Sequence, residues 1–186
     1  MNSITFARGM MKFLATGMVM MFIGCDDFVT PPPVVPPAQP EDRTPSWSPD
    51  GQWIAYTHIN PVPRDTTYPT GLYLIDTDGQ NRRLLLTGPV FNPDWSPDGK
   101  KIAFNSGNIF MLNIMNNSLF QITTHGSAFF ASWSPDGKKI AYDATSLGDK
   151  NGIWIVSVDT TFRKRLGLGR DPDWSPQGDR LVYEGP

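Results

Sequence analysis

The chain has 186 residues, a formal net charge of −2, and 39% hydrophobic and 12% aromatic residues. This length allows about one domain, and the apolar fraction is sufficient for a folded core. Sixteen basic residues are balanced by 18 acidic ones, so the composition gives no sign of the basic face that nucleic-acid-binding proteins need. The single cysteine, Cys25, excludes an internal disulfide, and the fold is therefore expected to be held together by packing.

Residues 1–24 are predicted to be a signal peptide. Arg8 and Lys12 precede an apolar run over residues 13–23, and no acidic residue occurs before Cys25. A basic region followed by about 7–15 apolar residues is typical of a secretory signal. As a helix the run rises only about 16 Å, too little for a hydrocarbon core of about 30 Å. The start of translation stays open between Met1, Met10 and Met11.

The end of this segment, Phe22-Ile23-Gly24-Cys25, resembles the lipobox of bacterial lipoproteins. In that family the cysteine becomes the mature N-terminus and carries lipid, which implies that Cys25 anchors the chain to a membrane of the cell envelope. Which membrane this is, inner or outer, stays open. The alternative is an ordinary signal peptide with a chance cysteine.

Residues 25–43 are predicted to be a linker, because prolines dominate the tract from residue 30 to 40. Proline lacks the backbone N–H and fixes φ, so such a tract favours polyproline II over helix or central strand. At about 3.1 Å per residue it would space a folded domain roughly 30 Å from the bilayer.

The rest of the chain repeats one short motif four times, each copy beginning with tryptophan and ending with glycine: Trp47 to Gly51, Trp95 to Gly99, Trp133 to Gly137 and Trp174 to Gly178. A period near 40 residues is the signature of a repeat architecture. Within the motif W-S-P-(D/Q)-G, proline presets φ at the first central position of a turn and glycine supplies the positive φ that follows.

Each turn is followed by β-rich segments. Second strands are predicted over residues 52–56, 100–104, 138–142 and 179–183, third strands over 72–75, 109–112 and 153–156, and fourth strands over 82–86, 119–123 and 162–166. Four antiparallel strands per unit predict an all-β propeller with about 3.5 blades. The predicted blades are residues 44–88, 89–126, 127–168 and an incomplete 169–186.

The residues W-S-P-D-G-K-K-I-A-F/Y and D-x-D-G-x-N-R-R-L resemble the TolB-type propeller repeat, a relative of the WD repeat, over residues 43–186. TolB-family propellers act in the periplasm as part of a trans-envelope assembly. The resemblance therefore implies a protein-binding role with envelope proteins or peptides as partners. Because the sequence contains no catalytic motif, neither catalysis by this chain nor a cofactor is expected. The repeated tryptophans are expected to pack on the next blade, which is a structural role.

Three and a half blades leave the ring incomplete. Three explanations stay open: the sequence is a fragment lacking C-terminal blades, two copies form a seven-blade homodimer, or a distorted small ring forms. A bare sheet edge at each end is a template for pairing with another chain.

No catalytic or metal-binding motif occurs, and neither histidine has a partner at metal-ligand spacing. Variation between copies indicates two candidate binding regions. If the first strand of each blade is innermost, its side chains face a central channel, where carboxylates would attract a cation or a basic peptide; the candidates are Asn92, Asp94, Asp171 and Asp173, with Thr44 and Phe130 at matching positions. The second region is the insertion over residues 59–70, with Arg64 and Tyr68, which is otherwise a tolerated surface loop.

Two functions follow as hypotheses. The first is a lipid-anchored scaffold of the bacterial envelope that binds proteins and has no catalysis of its own. The second is a propeller that serves as the accessory domain of a truncated hydrolase, either a peptidase or a polysaccharide-cleaving enzyme.

Overall fold

The computed structural model describes residues 39–62, 67–145 and 148–185. The predicted signal peptide, Cys25, most of the predicted linker and Arg64 lie outside these residues. Within the described residues, no helix is long and apolar enough to cross a lipid bilayer.

Fourteen strands form four antiparallel sheets in the described part of the chain, and each strand pairs with its neighbour in sequence. Blade 1 contains β1 (Glu41–Trp47), β2 (Trp53–Ile59), β3 (Gly71–Asp76) and β4 (Arg83–Thr87). Blade 2 contains β5 (Phe91–Trp95), β6 (Lys101–Ser106), β7 (Asn108–Asn113) and β8 (Leu119–Gln121). Blade 3 contains β9 (Ala128–Trp133), β10 (Lys139–Ala144), β11 (Gly152–Ser157) and β12 (Arg163–Gly167). Blade 4 contains only β13 (Arg170–Trp174) and β14 (Leu181–Glu184). The prediction of an all-β propeller with about 3.5 blades is confirmed.

Two predicted boundaries are wrong at one end of blade 1. Strand β1 begins at Glu41, inside the segment predicted to be linker, and β2 continues to Ile59, the first residue of the predicted insertion. The reason is pairing, since Glu41 lies opposite Ile59 and Arg43 lies opposite Thr57. The additional residues of β1 and the additional residues of β2 are hydrogen-bonding partners of each other. The sequence pattern of a single strand does not show this pairing.

The repeated turn has the geometry that its residues dictate. In blade 1 the amide of Gly51 donates to the carbonyl of Ser48 at 2.9 Å, and Gly51 has φ of +69°. The Ser48 hydroxyl donates to Asp50 Oδ1 at 2.6 Å and accepts from the Trp53 amide at 2.9 Å. The carboxylate therefore serves the turn, and hydrogen bonding to Ser48 holds the pKa of Asp50 below its usual value.

Blade 4 has Gln177 where the other turns have aspartate, and it satisfies its serine differently. The Ser175 hydroxyl donates to Asp179 Oδ1 at 2.9 Å, and the Arg180 amide donates to the Ser175 hydroxyl at 3.1 Å. An acidic residue two positions later thus replaces the missing one, which explains why the substitution leaves the turn intact.

The blades are joined by two apolar clusters that show how the tryptophans pack. Trp95 and Trp133 are both 6% exposed. Trp95 lies in a cluster with Ala55 and Leu72 of the preceding blade. Trp133 likewise lies with Ala103 of blade 2. We call the side of a blade that carries its inner-strand tryptophan the tryptophan face, and the opposite side the alanine face. In blades 2 and 3 the tryptophan face packs on the alanine face of the blade before it.

The expectation that all four tryptophans pack on the next blade is therefore wrong in direction, and for Trp47 it is wrong altogether. Trp47 is 56% exposed, and Trp174 is partly buried. The difference has a simple cause: the indole needs the alanine face of a preceding blade, and no described blade precedes blade 1.

Candidate binding pocket on the inner strands

The first strands of all four blades, β1, β5, β9 and β13, meet around one cavity of about 520 Å³. The same three positions of each strand line it, and the twelve residues are Thr44, Pro45, Ser46, Asn92, Pro93, Asp94, Phe130, Ala131, Ser132, Asp171, Pro172 and Asp173. All the residues that sequence analysis placed at the channel are in this set. The first strand of each blade thus contributes to a common wall.

A β-bulge in each inner strand shapes this wall. The first lining residue of every blade has a positive φ between +48° and +51°, although none is glycine: Thr44, Asn92, Phe130 and Asp171. A bulge of this kind re-aims a side chain and is often found next to functional sites. The strand pairings shift register at these positions, as between Arg43 and Ser46 and between Phe91 and Asp94.

Hydrogen bonds to the second strand fix the bulges in blades 1 and 2. The hydroxyls of Thr44 and Thr57 are 3.2 Å apart, and Asn92 Nδ2 donates to Asn105 Oδ1 at 3.0 Å. Asparagine tolerates this left-handed conformation, whereas the β-branched Thr44 is strained in it. The polar pairs therefore hold two of the lining positions in place.

Asp94 is a carboxylate of the pocket that links blades 2 and 3. Its Oδ2 accepts a hydrogen bond of 2.7 Å from the backbone amide of Trp133 in blade 3. Burial and, to a smaller extent, the negative charge of Asp173 raise the pKa of Asp94 to about 6, against the opposing effect of the Trp133 amide. Asp94 thus combines a structural role with a perturbed carboxyl group in a cavity, a combination typical of functional sites.

Asp173 and Asp171 contribute the accessible charge. Asp173 Oδ1 accepts a hydrogen bond of 3.1 Å from the Ser132 hydroxyl, and both aspartates are exposed. The structure therefore brings together Asn92, Asp94, Asp171 and Asp173 at one cavity. No group of three or more histidine, cysteine or acidic residues that could hold a metal ion occurs within the described residues.

Asp143 is a buried carboxylate behind the pocket that sequence analysis missed. It is 2% exposed, and its Oδ1 has no hydrogen-bond partner. Asp143 occupies the position in blade 3 that corresponds to Thr57 in blade 1 and Asn105 in blade 2. The residue at the bulge of blade 3 is Phe130, whose side chain has no polar atom to form a hydrogen bond with it. Burial raises the pKa of Asp143 to about 6, opposed by the nearby charge of Arg170. The sequence signal for such a carboxylate is an acidic residue at the position equivalent to Asn105, in a blade whose bulge position is occupied by an aromatic residue.

We expect Asp143→Asn to stabilise the protein at pH 7. The pKa of Asp143 is higher in the folded protein than in the unfolded chain, so the neutral carboxyl is the form that favours folding. This stabilisation is fully present below about pH 4 and is lost as the pH rises through 6. The variant should gain up to about 2 kcal/mol in free energy of unfolding at pH 7 and nothing at pH 4. Urea melts at both pH values measure this, with the exposed Asp78→Asn as control; a variant less stable than the wild type at pH 7 would refute the assignment.

The second candidate region, the insertion, is held by an arginine that sequence analysis did not single out. The Arg82 guanidinium lies 4.6 Å from the ring centre of Tyr68 and 4.7 Å from that of Tyr73. Cation–π contacts of this kind contribute about 0.5–1 kcal/mol at exposed sites. Tyr68 therefore helps to attach the insertion to blade 1. Tyr68 lies outside the pocket lining.

The two histidines also lie apart from the pocket. His58 Nδ1 is 2.7 Å from Asp42 Oδ1, and its ring meets Tyr73 edge-on. His125 stacks on Tyr142, and burial holds the pKa of His125 below its usual value. Both rings serve local packing.

Comparison with known proteins decides the family. The family model described as the TolB beta propeller domain matches residues 59–185, which is more than half of the chain. The chain belongs to the TolB beta-propeller family. No curated protein matches the sequence.

Solved structures show the same TolB fold. TolB from Acinetobacter baumannii is 22% identical with a TM-score of 0.63, covering 77% of this chain and 37% of that one. A putative TolB from Agrobacterium tumefaciens is 22% identical with a TM-score of 0.59, covering 77% of this chain and 69% of that one. Dipeptidyl peptidase 4 from Porphyromonas gingivalis is 19% identical with a TM-score of 0.51, covering 77% and 29%. The TolB-like chain therefore spans little more than a third of the first of these structures.

Proposed function

We propose that this chain is a lipid-anchored, non-catalytic scaffold of the bacterial cell envelope that binds a protein segment at the pocket of its inner strands. Membership of the TolB beta-propeller family supports a binding role in the periplasm. The lipobox-like residues before Cys25 support anchoring by lipid. The proposed binding site itself rests on one observation, the cavity that the inner strands of all four blades line together.

The chemistry of the pocket favours a basic, extended segment. Asp171 and Asp173 are exposed at its wall, whereas Asp94 is turned to the Trp133 amide. Ser46 and Ser132 add hydroxyl groups, and the exposed Pro45 and Phe130 add apolar surface. The charge of a lysine or arginine side chain would be attracted to these carboxylates, and its apolar stem could pack on Pro45 and Phe130.

Binding of a lysine-rich peptide, used as a probe, tests this site by fluorescence anisotropy. Asp171→Asn and Asp173→Asn should each weaken binding about two- to fivefold at low salt, as expected for partly exposed charges. Asp78→Asn removes the same charge outside the pocket and should leave binding unchanged. Equal losses in all three variants, or no binding by the wild type, would contradict the proposed site.

Fractionation of cells tests the anchor. We expect the wild-type chain in the membrane fraction after a high-salt wash, because buried acyl chains hold a protein independently of charge. The Cys25→Ser variant cannot be acylated and should move to the aqueous fraction. If both partition alike, Cys25 does not carry the anchor.

A second candidate function is an accessory domain of a larger hydrolase. Dipeptidyl peptidase 4 from Porphyromonas gingivalis has the fold of this chain over 29% of its own length, so a propeller of this kind does occur beside other parts of a peptidase. The reading frame distinguishes the two functions. A continuation that encodes a G-x-S-x-G hydrolase domain favours the accessory role, whereas further blades alone favour the scaffold.

A further inference from the structure

We propose that Phe130 makes the pocket selective for arginine in the bound segment, with the guanidinium stacked on the Phe130 ring and paired with the carboxylates of Asp171 and Asp173. This selectivity rests on the proposed peptide-binding function and specifies the side chain that the pocket recognises. The bulge positions of the other three blades hold threonine, asparagine or aspartate, whereas blade 3 holds a phenylalanine. Phe130 is 37% exposed and lines the cavity, so its ring is accessible to a bound segment.

The backbone at Phe130 is strained. Its φ is +49°, in the left-handed region that asparagine and aspartate adopt more readily than bulky residues do. Thr44 has a φ of +48° and is strained as well, but its hydroxyl has a partner 3.2 Å away in Thr57. The Phe130 side chain cannot form such a hydrogen bond. Strain of this kind persists only where the surrounding structure imposes it, and it is concentrated at binding and active sites.

The phenylalanine also leaves a buried carboxylate oxygen without a partner. In blade 2 the bulge residue Asn92 donates from Nδ2 to Asn105 Oδ1, and in blade 1 two hydroxyls form the equivalent pair. Asp143 occupies the same position in blade 3, is 2% exposed, and has no hydrogen-bond partner for its Oδ1 in the described part of the chain. A buried polar atom without a partner destabilises the folded state. Because the partner in blades 1 and 2 comes from the same blade, the deficit in blade 3 follows from Phe130 itself.

Packing gives little in return for these two costs. Phe130 belongs to neither of the two apolar clusters that join the blades, whereas Tyr142 of the same blade is fully buried in one of them. An aromatic ring that strains the backbone, leaves Asp143 unsatisfied and remains more than a third exposed contributes little to the fold. Departures from local consistency of this kind are expected where a side chain serves a site.

The surroundings of the ring match a guanidinium. The Ser132 hydroxyl, on the same strand as Phe130, donates to Asp173 Oδ1 at 3.1 Å and ties this carboxylate to β9. Asp171 and Asp173 are exposed, and Arg170, the cation next to them in sequence, lines a different cavity. A planar guanidinium stacks on an aromatic face and donates to carboxylates at the same time. The ammonium group of lysine is a compact, strongly hydrated charge and gains less from the ring.

Two peptides of equal length and charge, one with arginine and one with lysine at every basic position, test the selectivity by fluorescence anisotropy with the full chain. We expect the wild type to bind the arginine peptide about two- to fivefold more tightly, which is the range of a cation–π contact at an exposed site. Phe130→Leu keeps an apolar side chain but removes the ring, so the preference should disappear. Phe129→Leu makes the same change one residue earlier, outside the pocket lining, and should keep the preference.

The outcomes separate this selectivity from the peptide-binding function on which it rests. If the wild type binds both peptides and the aspartate variants weaken binding, but the arginine preference is absent or survives Phe130→Leu, the role of Phe130 is wrong and the binding site stands. If the wild type binds neither peptide, the proposed function fails and the selectivity fails with it.

Phe130→Asn provides a second test with opposite effects on stability and binding. Asparagine adopts the left-handed conformation with less strain, and its Nδ2 can donate to Asp143 Oδ1 as Asn92 donates to Asn105. We expect the midpoint of thermal unfolding to rise by about 2 °C or more, while the arginine preference is lost. A midpoint at or below that of the wild type would show that the ring supports the fold, and would overturn the proposal.

Discussion

Replacing Trp133 by alanine is expected to lower the free energy of unfolding by about 3–5 kcal/mol. Trp133 is 6% exposed in the cluster that joins blades 2 and 3. Its indole nitrogen has no hydrogen-bond partner, so the loss comes from packing and from the cavity left behind. A buried tryptophan covers about 150–250 Å², which corresponds to roughly 4–6 kcal/mol before relaxation.

Trp47→Ala is the matched control for this prediction. The same substitution at a 56% exposed side chain should cost less than about 1 kcal/mol in dilute protein. Urea melts of the two variants give both values. A loss below about 1 kcal/mol for Trp133→Ala, or equal losses for the two, would show that the tryptophan does not hold the blades together.

Gly152→Ala is expected to be as damaging, for a backbone reason. Gly152 begins β11 with φ of +119°, and an added Cβ would lie 1.9 Å from the carbonyl oxygen of Gly167 in β12. A strained φ and a clash with backbone each cost about 1–3 kcal/mol, so a total near 3–5 kcal/mol is expected. The two strands of blade 3 would have to separate to admit the methyl group.

Gly79→Ala provides the comparison. Gly79 also has a positive φ, +75°, but no atom lies within 4 Å of the added Cβ. Its loss should be only about 1 kcal/mol, the cost of the left-handed conformation alone. Thermal and urea melts of both variants separate the clash from the φ penalty, and similar losses would contradict the close approach of β11 and β12.

Local chemistry made the turns and strands predictable from sequence. The W-S-P-D-G motif supplies side chains that shape its own turn, such as Ser48 and Asp50, so no distant contact is needed to recognise it. The channel was predictable for a related reason: once the first strand is taken as innermost, equivalent positions such as Asn92 and Asp171 converge by repetition.

Features that depend on another blade or on a missing partner were not predictable. The exposure of Trp47 depends on whether another blade packs against the tryptophan face of blade 1. The sequence motif around Trp47 carries no information about that packing. The unpartnered Oδ1 of Asp143 arises because Phe130 replaces a polar residue on a neighbouring strand. Likewise the position of Arg82 over Tyr73 requires the register of β3 and β4, which strand patterns alone do not give.

Solvent exposure of the individual indoles tests the packing scheme most directly. Fluorine NMR of the 5-fluorotryptophan-labelled chain reports it as the shift between H₂O and D₂O, with resonances assigned by single tryptophan-to-phenylalanine variants. We predict a large isotope shift for Trp47 and almost none for Trp95 and Trp133. An isotope shift for Trp95 or Trp133 as large as that for Trp47 would contradict the stacking of tryptophan faces on alanine faces.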